Sequence, residues 1–555
     1  MKKKVWSTAV GIILIISLVV TGCSSNNNGN AGSTNGENNS NGTNDAAPVN
    51  VSVFAHLPAD NDFATNNFSK LLEEKFNISF KWTTVPFDGA AEKRQISISS
   101  GDYPDVFMLV PWVDKFSQTD LIRFGQQGVV VPLNDLIDQY GPNIKHALDS
   151  DPYYKAMNTA PDGNIYGLNQ FNECYHCSYP NKMWINTTWL EKLKLDTPKT
   201  TEDFAKVLEA FKTQDPNGNG KQDEVPLSGS VETFGVRIIP FLMNGFIYDD
   251  DRTYLTLNNG KVDIAANKSE WKEGLQYIKS LYDKKLIDPG AFTQNAEAYK
   301  MIGENADAQL LGAGAGMHPA IFINTGEGNL YNKDYNPIAP LKGPYSEYAN
   351  YAYPVDPGAS FVITNKASKE AQIAAIKIID YLFTQEGQMR GNFGEEGINW
   401  RKPTDGDIAL EESVEPIFAM IPGKSGGEPL NNSWGPIAQY YQPKAFRDGQ
   451  VQGTDPYLPS GFERRLQEAT HLYDGKQPKE IFPIWAVWID PASVDEMSMT
   501  QTNIKDYIDQ SALQFITGNK SLDKDWDSYV KGLEDLNLSR YLEIMQKSYD
   551  DSVKQ

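Results

Sequence analysis

An α/β fold with more than one domain is predicted for this chain, on three observations. The patterned segments after residue 48 run strand, loop, helix, strand. Apolar residues spaced i, i+3, i+4, i+7 recur well downstream. The 555 residues also exceed what one hydrophobic core organises. VNVSVFA at residues 49–55 is a β-branched run that predicts the first strand, ending at the loop HLPADNDF. NNFSKLLEEKF then sets Phe68, Leu71, Leu72 and Phe76 on one helical face. ISFKWTTVP predicts a second strand, followed by a helix through residues 92–98 and a strand in DVFMLV. In this order, ligand loops lie at strand C-termini. Further helices are predicted at residues 133–148 and 200–214. In the second, Phe204, Val207, Leu208 and Phe211 share a face, and Thr200 or Thr201 caps a start carrying Glu202 and Asp203. From Ile504 onward the chain is expected to be mainly helical, and no internal repeat of fixed period is found.

Composition sets limits on function. A chain 40% apolar and 22% charged is a folded globular protein. With 72 acids against 50 bases, the net charge of -22 argues against non-specific nucleic-acid or anionic-membrane binding, which need basic surfaces. Lys2, Lys3 and Lys4 precede a largely apolar run at residues 5–20, closed by Val20-Thr21-Gly22-Cys23. The run is short for a bilayer span of about 20 residues. Val-Thr-Gly-Cys resembles a bacterial lipobox, which implies a signal peptide over residues 1–22 and lipidation of Cys23. An uncleaved anchor helix is the alternative. Residues 23–48, rich in Ser, Asn, Gly and Thr, have no apolar periodicity and are expected to be a disordered tether. Such a tether reaches about 25–30 Å.

Outside the cytoplasm, Cys174 and Cys177 in FNECYHCSY are most simply a disulfide. A redox CxxC would normally open a helix, and none is patterned here. A zinc site of Cys174, Cys177 and His176 lacks an obvious fourth ligand, because His56, His146, His318 and His471 are scattered.

DPNGNGKQDEVP at residues 215–226 spaces Asp215, Asn217, Asn219 and Asp223 as positions 1, 3, 5 and 9 of a calcium loop. The main-chain oxygen of Lys221 adds a ligand, and Gly218 and Gly220 permit the tight path. Position twelve is Pro226, so Glu224 is the candidate for the missing bidentate carboxylate. The loop exits into EVPLSG, which gives no exiting helix for a calcium switch. A metal-free turn is the alternative reading.

Several separated segments resemble one family, the extracellular solute-binding lipoproteins of ABC-type sugar importers, close to alginate-oligosaccharide and maltose-type binding proteins. They include SGDYPDVF from Ser100, LNDLIDQYGPNI from Leu133, DGNIYGL from Asp162, the block from MWINTTWLEKL through DPNGNGKQDEVPL, LYDKKLIDPGAF, IIDYLFTQEGQ, GEEGINW and the segment from Phe515. The resemblance implies a two-lobe periplasmic-binding-protein-like fold with a ligand cleft between the lobes and a largely helical C-terminal part. Residues 49–168 and 345–425 would form the N-terminal lobe, and 169–344 and 426–555 the C-terminal lobe. It further implies a structural calcium on Asp215, Asn217, Asn219, Lys221, Asp223 and Glu224, and lobe crossings near residues 166–172 and 337–351.

Sugar sites pair aromatic platforms with carboxylate, amide and guanidinium hydrogen bonds. The candidates are Asp60 and Asp62 on the loop after the first strand and Trp112 past DVFMLV. Others are Trp184, His318 after GAGAGM, Tyr353 at the second crossing, and Trp400 with Arg401, whose guanidinium would suit an acidic sugar. Each has a plain alternative as core or solvated surface. The expectation is a non-catalytic, monomeric receptor that captures an oligosaccharide and delivers it to importer permease subunits, touching the membrane only through its lipid. The rival readings are a tethered polysaccharide hydrolase or lyase, and a glycan sensor or adhesin. No GxSxG, HExxH or Walker constellation is evident.

Overall fold

The computed structural model describes residues 47–57, 61–232, 235–326, 328–329, 331–422 and 430–553. Cys23, the signal segment, the tether up to residue 46, and Asp60 lie outside them. Two four-stranded sheets are built from β1 (Val49–His56), β2 (Ile78–Val85), β3 (Val106–Met108), β4 (Met183–Asn186), β5 (Val225–Ser228), β6 (Leu311–Ala315), β7 (Tyr335–Ile338) and β8 (Phe361–Ile363).

The first sheet has the order β8-β3-β1-β2. β1 runs parallel to β2 from Val49 opposite Ile78 to His56 opposite Val85, and parallel to β3, while β8 closes the other edge antiparallel. β1 is apolar on both faces because both are covered: Val51, Val53 and Ala55 enter one core and Phe54 another. The helix Asn67–Phe76 starts at Asn66, whose side chain accepts from the Phe68 N–H, and it turns Phe68 and Leu72 inward. The single helix expected at residues 133–148 is two, Asn134–Tyr140 and Pro142–Ser150. Pro142 has no N–H to donate and bars its predecessor from helical geometry, so Gly141 ends one helix and opens the next.

The second sheet has the order β7-β4-β6-β5, with β5 parallel to β6 and the other pairs antiparallel. The helix Thr201–Thr213 leans on it, capped by Thr200, with Phe204 and Phe211 fully buried. Each such ring contributes about 2–3 kcal/mol through burial. Val494–Ile516, Trp526–Asp535 and Leu538–Val553 complete this core through Ile504, Phe515, Tyr529, Leu533 and Tyr541. The C-terminal part is helical, as its pattern predicts.

The chain passes repeatedly between the two cores. Leu168 and Phe171 belong to the first and Tyr179 to the second. The return comes between Ala349 and Val355, later than residues 337–351, because Pro337 is already paired with Trp184 inside the second sheet. Trp434, Ile437 and Tyr440, which the expected partition assigns to the C-terminal lobe, pack in the first core, as does Trp485.

Candidate functional site at the crossing segments

Where the chain crosses, the Ala352 N–H donates to the Ser178 carbonyl at 2.9 Å, binding the outgoing and returning segments together. Tyr351 and Ile484 pack against both cores. Next to them Tyr353 stacks on Trp485, ring centres 5.7 Å apart and planes 21° from parallel, and Tyr153 stands edge-on to both. The Tyr353 hydroxyl donates to Asp151 Oδ2 at 2.8 Å. Burial, then that carboxylate, holds its pKa well above the ordinary phenol range. The Trp485 indole N–H is buried without a hydrogen-bond partner among the described residues.

A few residues on, Asp356 lies 3.2 Å from Lys115 Nζ, on the loop after β3, and 3.6 Å from Arg252. Burial alone would raise this carboxyl, but the two cations bring it below the usual carboxylate range. Tyr248, Arg252, Tyr351, Tyr353, Asp356 and Trp485 line a small cavity of about 30 Å³. Trp112, three residues before Lys115, is 59% exposed. This arrangement offers flat rings for sugar C–H faces and carboxylates for hydroxyl edges, and pairs its nearby cations internally.

Other sequence candidates stand apart. Trp184 is fully buried, its indole N–H donating to the Gly316 carbonyl at 2.9 Å and Arg465 lying over its ring. It is a core residue and presents no face to a ligand. Arg401 already forms a two-pronged pair with Asp407 at 2.6 and 3.0 Å, so its fork is not available for a sugar carboxylate. Trp400 donates to the Gly394 carbonyl and packs beside Phe418. Asp62 caps its own turn, accepting from the Ala64 N–H and the Thr65 hydroxyl. His318 lies edge-on to Phe462, and burial lowers its pKa to about 4. Cys174 and Cys177 are bonded to each other. Sequence reasoning missed Tyr153, Asp151, Lys115, Arg252, Asp356 and Trp485. A hint lay in the aromatic stretch FPIWAVW at residues 482–488, which is as easily read as core.

The acidic loop is a separate place. Asp215 receives the Gly218 and Gly220 N–H groups, and Asn217 and Asn219 both direct amides at Asp223. Glu224 is 2% exposed, and neither of its carboxylate oxygens has a hydrogen-bond partner among the described residues. Burial first, then Asp215 and Asp223, raise its pKa. A buried carboxylate beside two others, with both oxygens unmatched, fits a hard divalent cation. The loop leads straight into β5, with Pro226 inside that strand, so no lever helix follows.

Residues 59–389 match the description of a bacterial extracellular solute-binding protein. The chain belongs to this family. The fructooligosaccharide ABC transporter substrate-binding protein FusA of Streptococcus pneumoniae serotype 4 is 32% identical over 498 residues, 86% of each chain. The structure of S. pneumoniae FusA in complex with kestose has a TM-score of 0.67 at 29% identity, over 90% of this chain and 99% of that one. An EF-hand mutant of FusA in complex with fructo-nystose gives 0.67 at 28% identity, with the same coverage. An extracellular solute-binding protein from Bifidobacterium longum subsp. infantis shares the fold, with a TM-score of 0.75 at 22% identity over 92% and 99% of the two chains. This solute-binding protein therefore has the two-lobe architecture.

Proposed function

We propose that this protein captures an uncharged oligosaccharide of the fructooligosaccharide class at the lobe crossing and delivers it to an ABC-type importer. The observation that carries this reading is the Tyr353–Trp485 stack, flanked by Asp151 and Asp356, with Lys115 and Arg252 both paired to Asp356. Likeness to FusA over most of both chains supports the ligand class. With Arg401 also paired, the described candidates offer no uncommitted guanidinium to attract a uronate. Closure is a population shift, driven by contacts the sugar makes with both lobes only when shut. We take residues 48–170 with 355–442 as the N-terminal lobe, joined by the segment around Trp485 and Trp488, and the remainder of the folded chain as the C-terminal lobe.

The loop Asp215, Asn217, Asn219, Lys221, Asp223 and Glu224 would hold calcium as a structural ion, neutralising the buried Glu224. Support comes from the unmatched Glu224 oxygens and the EF-hand of the FusA relative. Lipidation of Cys23 would anchor the protein on the outer face of the cell membrane, on a tether that leaves the lobes free to meet the permease. Calorimetric titration with kestose and with oligogalacturonate tests the reading: heat with kestose alone is expected. Hydrolysis of kestose by the purified protein, or binding of oligogalacturonate in preference, would overturn it.

A further inference from the structure

The CYHC turn brings soft and imidazole donors together at one place. Cys174 Sγ, Cys177 Sγ and a ring nitrogen of His176 all lie within 4.8 Å of one another. His176 Nε2 faces Cys174 Sγ at 3.5 Å, while Nδ1 meets Glu463 Oε2 at 3.1 Å. A metal-binding histidine characteristically uses one nitrogen for the ion and gives the other to a carboxylate that fixes its orientation. Glu463, from the distant helix Phe462–His471, occupies that second position.

The turn is held by bonds other than the disulfide. Fully buried Lys182 donates from Nζ to the His176 and Tyr179 carbonyls at 2.8 and 2.5 Å. The Cys177 N–H donates to the Cys174 carbonyl, the Ala352 N–H to Ser178, and the Tyr175 hydroxyl to Asp474. These contacts keep the three donors together when the sulfur–sulfur bond is gone. The Cα atoms of the two cysteines are 5.2 Å apart. From there the sulfurs can part to the roughly 3.8 Å that two thiolates on a tetrahedral zinc require.

We propose that this turn is a latent soft-metal site, in which Cys174, Cys177 and His176 bind one zinc ion after the disulfide is reduced, with Glu463 positioning the imidazole. A dithiol supplies the electrons: its two thiols become a disulfide, the Cys174–Cys177 bond breaks, and the two protons pass to the cysteine sulfurs. Zinc then displaces both protons as the thiolates and His176 Nε2 coordinate it, and water takes the fourth position. The site adds a second, chemically distinct ion to the hard-cation loop, and it bears on the lobe crossing directly.

The test is cobalt titration of the full folded chain under nitrogen, before and after reduction with a phosphine that is removed by desalting before metal is added. Reduced protein should develop a thiolate-to-cobalt charge-transfer band with tetrahedral visible bands, both abolished by zinc, and oxidised protein should show neither. C177S should lose the charge-transfer intensity of one thiolate, and E463Q should weaken binding about 10- to 100-fold while keeping the bands. If C177S fails to fold, alkylating the reduced wild-type protein serves in its place and should abolish the bands. Absence of a charge-transfer band in reduced, folded protein overturns the proposal. So does a band of unchanged affinity and shape in H176Q, which would place the metal elsewhere.

Discussion

Acidification should destabilise this protein through His56 by an amount the structure allows to be worked out. The ring is fully buried at the end of β1, and its Nδ1 accepts from the Val110 N–H at 3.0 Å. That bond holds the start of the loop carrying Trp112 and Lys115. Burial lowers the His56 pKa from 6.5 to about 4, with Asp114 opposing and Arg94 reinforcing the shift. Between those values the unfolded chain binds a proton that the folded chain refuses. The sign follows: above pH 6.5 both states are neutral and nothing is lost, and stability falls as pH drops towards 4. At 1.36 kcal/mol per pH unit, the loss from this one group is about 3 kcal/mol. The assay is denaturant unfolding of the parent and H56N, in which asparagine keeps an acceptor for Val110, at several pH values across the window. Carboxylates and the other histidines contribute to both curves, so the difference isolates His56. The H56N curve should be flatter by about 3 kcal/mol. Parallel curves would refute the assignment.

Three further outcomes are expected. Calcium should raise the melting temperature by a few degrees, since an ion at 100 times its Kd adds about 2.7 kcal/mol. E224Q should abolish the rise, and an identical calcium response in E224Q would remove Glu224 from the site. Y353A should weaken kestose binding about tenfold or more, whereas Y353F, which keeps the ring, should stay within a few-fold. Equal affinities for the two variants in titration calorimetry would show that the ring does not stack on sugar. D356N removes the charge shared by Lys115 and Arg252 and should reduce kestose affinity about two- to fivefold at low salt, with the gap closing at high salt. A gap independent of salt would mean that Asp356 acts through direct hydrogen bonding instead.

What the sequence made legible was local. β1, the helix Asn67–Phe76 and the helix Thr201–Thr213 are readable because periodicity and caps lie within a dozen residues. The cation loop is readable for the same reason: all of its donors sit in one short segment. The crossing site is different. Asp151, Tyr353 and Trp485 come together from three distant segments, and no pattern in any one of them marks it. Trp184 shows the converse: its neighbours in sequence left it open as a platform, but its indole is satisfied by Gly316, 132 residues away. Arg401 failed as a candidate for a local reason that spacing alone did not reveal, since Asp407 lies six residues on and takes its fork.

The way both cores are stitched from remote segments has a consequence for biogenesis. The second core joins Tyr179 to Met545, and the first joins Val51 to Trp485. The second cannot be completed until Met545 is available, whereas the first has all of its buried members but Trp485 and Ala486 once Tyr440 has emerged. Contacts this distant in sequence also make folding slow. A nonsense change near residue 480 would therefore strike the two halves unequally, taking only Trp485 and Ala486 from the first core but Ile504, Phe515, Tyr529, Leu533 and Tyr541 from the second.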